Sequence, residues 1–156
     1  MLSTLRLSTL QKGLLFFWAL WFSLVALTNL LGGLKALGVL PKSWTLASYN
    51  YELVASTVGA HGVPAAVAAV LFVGVIAWEG LAAALFWRAW AAVRRGAAGT
   101  ADDVTRAFCV SIALWAAFLV ATEATVTYAT AGTHTGLLIA SLASLLVVRL
   151  PDGGGR

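Results

Sequence analysis

Two carboxylates sit inside otherwise apolar runs of this sequence. Glu79 is the one charge in VGVIAWEGLAAALFW, Val73 to Trp87, and Glu123 is the one acid in LWAAFLVATEATVTYATAGTH, Leu114 to His134. A carboxyl surrounded by apolar residues can take up a proton, hold a cation or orient a polar ligand. It can also do nothing more than hydrogen-bond a neighbouring helix and fix its position. If Trp87 anchors at a membrane interface, Glu79 lies about 12 Å deep at ~1.5 Å per residue. That is well within a hydrocarbon layer of about 30 Å. A charge exposed to lipid there costs at least ~2.5 kcal/mol. Glu79 is therefore expected to face the interior of a bundle and to have a partner. Its small neighbours Gly80, Ala82, Ala83 and Ala84 let another helix approach closely.

Glu123 is followed by Thr127, Thr130 and His134 at steps of four, three and four. On a continuous helix these four residues share one face. Thr125 and Tyr128 add polarity beside them. Such a face is expected to line a cavity or meet a polar partner, unless the threonines bond their own backbone. Asn29, near the end of the first apolar run, is a plausible interhelical partner for either acid. The expectation is one interior polar site holding Glu79, Asn29 and the Glu123–Thr127–Thr130 face, with Tyr128 and His134 toward its mouth. The site should open beneath the segment Ala47 to Val58. The two histidines, His61 and His134, are the only candidates for a metal or haem ligand, alone or with a glutamate. There is no H-x-x-E, no paired-histidine helix and no CxxCH, so no metal site is assigned and the sequence requires no cofactor. Phosphate-binding glycine loops, nucleophile elbows and catalytic triads are absent, which leans the reading away from an enzyme.

The elements that must position these residues follow from composition. Of 156 residues, 61% are hydrophobic and 10% charged. A soluble domain carries roughly 25% charged residues, so lipid is the solvent this chain fits. The net charge of +4 does not point to nucleic acid, because the basic residues flank apolar runs and form no stripe. The single cysteine, Cys109, permits no disulfide within the chain and reads as a packing residue.

Four apolar segments approach the roughly 20 residues that span a bilayer. The expected helices cover about 13–34, 63–90, 104–131 and 134–150 of a single domain, 1–150, with a disordered tail at 151–156. The first segment is too long for a signal peptide's apolar region and no A-x-A site follows it, so it reads as a retained helix. With the N-terminus in the cytoplasm, Arg6, Lys12, Arg88, Arg94, Arg95, Arg106, Arg149 and Arg156 lie inside and only Lys35 and Lys42 outside. This obeys the positive-inside rule, and an even number of helices is needed to keep Arg149 and Arg156 inside. Thr100 is placed to cap the third helix, with Asp102 and Asp103 in its first turn. The long first outer connection holds Trp44, Tyr49 and Tyr51, which suit an interfacial belt, and its middle reads as a short surface helix. The fold class is thus all-α: a polytopic protein of four transmembrane helices in an up-down bundle, with a short surface helix in the first outer loop.

The segments FSLVALTNLLGGLKAL, AWEGLAAALFWRAW and ALWAAFLVATEATVTY resemble those of a bacterial family of predicted small integral membrane proteins, a domain of unknown function. The likeness is an asparagine late in helix one, a glutamate among alanines in helix two and an acid late in helix three. The resemblance implies four helices and an inner-membrane home, points to Asn29, Glu79 and Glu123, and implies no reaction. The functional expectation is a small inner-membrane protein with both termini cytoplasmic. It is expected to be a non-enzymatic accessory or binding module with its site on Glu79 and Glu123. The alternatives are proton- or cation-linked transport by a homo-oligomer and a haem- or quinone-binding redox subunit. Its partners would be the bilayer and a larger membrane complex or further copies of itself, with no nucleic acid.

Overall fold

A computed structural model describes residues 7–151. Arg6, Arg156 and the remainder of the tail expected to be disordered lie outside these residues. The described chain forms α1 (Leu7–Ala36), α2 (Asn50–Gly59), α3 (Ala65–Arg95), α4 (Thr100–Ala124), a 3-10 turn (Tyr128–Thr130) and α5 (Ala131–Arg149), and contains no strand. Four stretches are long and apolar enough to cross a membrane: α1, α3, α4, and α5 together with its 3-10 turn. They follow one another up and down in a compact bundle, as a multi-pass membrane protein requires. α3 is the centre of the arrangement, packed against α1 on one side and α4 on the other. α4 packs on α5, which meets α1 mainly at the end far from α2, where Trp18 Nε1 donates to Ser144 Oγ at 3.0 Å.

Local sequence explains the boundaries. Pro64, which offers no backbone N–H to a preceding turn, stands immediately before α3. Gly96 ends α3 in the left-handed conformation at φ 62°. The Ala97 N–H then bonds back to the Ala92 carbonyl at 3.1 Å, which satisfies a terminal acceptor as in a Schellman motif. Thr100 does not cap α4. Gly99 occupies that position, and the Thr100 hydroxyl instead donates to the Ala97 carbonyl. Asp103 in the first turn pairs with Arg88 at 3.0 Å, tying the α3–α4 connection together.

α4 stops at Ala124, several residues short of the end expected from its apolar pattern. The physical reason is local. The hydroxyls of Thr122 and Thr125 bond back to the carbonyls of Phe118 and Ala121 at 2.8 Å each. Val126 then takes φ 51°, a left-handed conformation that a β-branched residue rarely enters, and the chain turns into the 3-10 segment. The expected continuous face from Glu123 to His134 therefore does not exist.

The packed core fills the half of the bundle farthest from α2. Trp18 and Phe22 of α1, Phe86 of α3, and Phe108 and Trp115 of α4 form a contiguous aromatic layer. Phe22 and Phe86 stack at 5.8 Å, and Phe108 meets Phe86 edge-on at 4.9 Å. Ala82, Ala83 and Ala89 let α3 come close enough for these rings to interlock.

Candidate functional site

The site is built where α1, α3 and the chain entering α2 converge. Asn29 and Glu79 are both buried, each 2% exposed. Asn29 Nδ2 lies 2.9 Å and 2.8 Å from Glu79 Oε1 and Oε2, so one amide group serves both carboxyl oxygens. Asn29 is held in this orientation from behind. Its Oδ1 accepts from Ser48 Oγ at 2.7 Å and from Asn50 Nδ2 at 2.8 Å. With two donors on its oxygen, the amide can turn only its N–H face toward Glu79.

Ser48 reaches Asn29 because position 32 is glycine. The Ser48 N–H bonds the Thr28 carbonyl at 2.9 Å, which lays the connection directly on α1. A Cβ at Gly32 would stand 2.6 Å from the Ser48 carbonyl oxygen, closer than real side chains pack. Gly33 plays a lesser part, leaving room for the Phe72 ring.

Glu79 forms part of the wall of a cavity of about 470 Å³ beneath α2. α2 contributes Asn50, Leu53, Val54, Thr57 and Val58 to the wall. Phe72, Val75 and Trp78 of α3 and Leu114 and Phe118 of α4 make it mainly apolar. A group of hydroxyls completes it, from Thr122 of α4 through Thr125 and Thr127 of the connection and Thr130 of the 3-10 turn to Thr133 of α5. His134 also lines it, its ring stacked on Phe118 at 4.8 Å. The His134 Nδ1 is buried and has no hydrogen-bond partner among the described residues.

The expected single site must be corrected in one respect. Asn29, Glu79, Thr127, Thr130 and His134 line the same cavity, but Glu123 and Tyr128 do not. Glu123 is exposed, and the Tyr128 hydroxyl donates to its Oε2 at 3.3 Å. Because α4 ends one residue after Glu123, the chain turns Thr127 and Thr130 inward while Glu123 stays on the outer face of its helix. The inward-facing residue is its neighbour Thr122, which is 6% exposed. The two histidines do not converge. His61 Nε2 donates to the Thr125 carbonyl at 3.1 Å, linking the α2–α3 connection to the end of α4. Among the described residues no three of His, Cys, Asp and Glu come together as a metal would require.

Ser48, Asn50, Gly32 and Thr122 are the site residues that spacing alone did not single out. Gly32 carried a visible signal, as one of two adjacent glycines just after Asn29. Ser48 and Asn50 carried none, since their role depends on how a loop folds back. No family model, curated protein or solved structure matches the chain, so what the site does must be argued from its own geometry.

Proposed function

We propose that this protein is a non-enzymatic binding module of a bacterial inner membrane, with both termini cytoplasmic, that takes a small ligand into the cavity beneath α2. The orientation rests on the asymmetry of lysine and arginine, which puts α2 on the outer side. The observation that carries the binding reading is the cavity ending on the buried Asn29–Glu79 pair. Its volume of about 470 Å³ falls in the range of small-molecule sites, roughly 300–1,000 Å³. Its few polar groups converge on an otherwise apolar wall. Beyond Glu79 the bundle is filled by the Trp18–Phe22–Phe86–Phe108–Trp115 layer, which favours a pocket with one entrance over a path through the membrane.

The test uses Cys109, which is exposed on α4, replaced by serine. A cysteine is then introduced in place of Thr122, in the cavity wall, or of Ser111, buried against Ser141 at 3.1 Å. With the protein in phosphatidylcholine vesicles, methyl methanethiosulfonate should label the Thr122→Cys variant readily. It should leave Ser111→Cys unlabelled. Equal inertness at both positions would contradict the reading.

A further inference from the structure

Glu79 is buried, and both of its carboxyl oxygens depend on a single donor group, the Asn29 amide. A carboxylate has about four acceptor positions, and among the described residues only the Asn29 amide donates to it. The two hydrogens of that amide diverge, so they cannot fill all four positions. Glu79 therefore keeps acceptor positions free for a further donor in the cavity that it lines.

The wall defines what that donor is. It contains no lysine or arginine, and Glu79 is its one acid. The aromatic side chains of Phe72, Trp78 and Phe118 line the same space, and aromatic rings attract a positive charge. A bare inorganic cation fits poorly, because a hard cation takes about six or more oxygen ligands and the Asn29 oxygen is already occupied. A neutral apolar molecule would leave the carboxyl unmatched. An ammonium group carries N–H donors that fill the open positions of Glu79, while an attached apolar body fits the aliphatic and aromatic wall. We propose that the cavity binds a protonated amine carried on an apolar body, with its N–H groups on the Glu79 carboxylate.

This inference rests on the binding-module reading, and the experiment separates the two. In the Cys109→Ser, Thr122→Cys protein, protection from methyl methanethiosulfonate is titrated with naphthylpropylamine and with naphthylpropanol, a neutral molecule of the same body. The amine should protect at a concentration about tenfold or more below the alcohol, after correction for partitioning of each into vesicles, as expected for a buried charge-assisted hydrogen bond. Adding Glu79→Gln should abolish that preference while leaving protection by the alcohol unchanged. The comparison of amine with alcohol on the intact carboxyl stands even if Glu79→Gln fails to fold. Equal protection by both molecules would overturn the amine assignment and leave the binding module standing. Absence of labelling at position 122 without either molecule would overturn both.

Discussion

The two halves of this bundle use the same helices to opposite ends. Away from α2, the rings of Trp18, Phe22, Phe86, Phe108 and Trp115 interlock, and interhelical hydrogen bonds are short links between small hydroxyls and indoles, such as Trp18 to Ser144. Toward α2, the same helices carry Glu79, Asn29 and threonines around a space of about 470 Å³. The difference is one of packing: the same helices are closely filled at one end and enclose a space at the other. Lipid supplies no hydrophobic drive between helices, so close packing and hydrogen bonds hold them together. The far half holds by packing, which releases the α2 half from having to be full.

The largest effect should follow from breaking the filled half. Phe86 is completely buried among the rings of Trp18, Phe22 and Phe108. Phe86→Ala should lose about 3–5 kcal/mol in a reversible unfolding titration, the usual cost of a large cavity in a packed core. Val75→Ala, in the cavity wall, should cost well under half as much. Similar losses at the two positions would erase the contrast between the halves.

Gly32→Ala comes next. Its Cβ would collide with backbone rather than with a flexible side chain, so Ser48 must move and Asn29 loses its rear support. A loss of about 1–3 kcal/mol is expected, together with faster labelling of the Thr122→Cys variant as the roof loosens. A comparable loss, about 1–3 kcal/mol, should follow Asn29→Ala for a different reason, because it leaves the Glu79 carboxyl buried with no donor. Glu79→Met should restore most of that stability when combined with Asn29→Ala, since it removes the buried carboxyl that needs the donor. No restoration would mean that Asn29 acts through packing alone.

Much of this contrast was legible in the sequence, and the limits are instructive. The burial of Glu79 followed from the cost of a charge in hydrocarbon, which holds whatever the details of packing; Asn29 was open as a partner for either acid, and the structure pairs it with Glu79. The four long apolar helices and the short helix between the first two likewise followed from composition and spacing. Glu123 was misplaced because a face drawn through Thr127, Thr130 and His134 assumes an unbroken helix. Threonine back-bonding and the left-handed Val126 end that helix at Ala124, and residue spacing does not weigh such competition. The Ser48–Asn50 support was invisible because it depends on a non-local fold-back that only Gly32 permits.

The smallest effect belongs to Glu123 itself. Glu123→Ala removes an exposed side chain and one long hydrogen bond to Tyr128. Stability should change by no more than about 0.5 kcal/mol, and amine protection of the Thr122→Cys variant should be unchanged. A loss of that protection would return Glu123 to the site.

On the proposed function, Glu79 lies at the end of a cavity entered from the α2 side and closed on the other. That arrangement is tested most directly by replacing Glu79 with cysteine in the Cys109→Ser protein and adding a small membrane-impermeant thiol reagent to one face of sealed vesicles at a time. Glu79→Cys should be labelled when the reagent is on the face that carries α2, and not when it is on the face that carries the α3–α4 connection. Labelling from the α3–α4 face, or from neither, would contradict it.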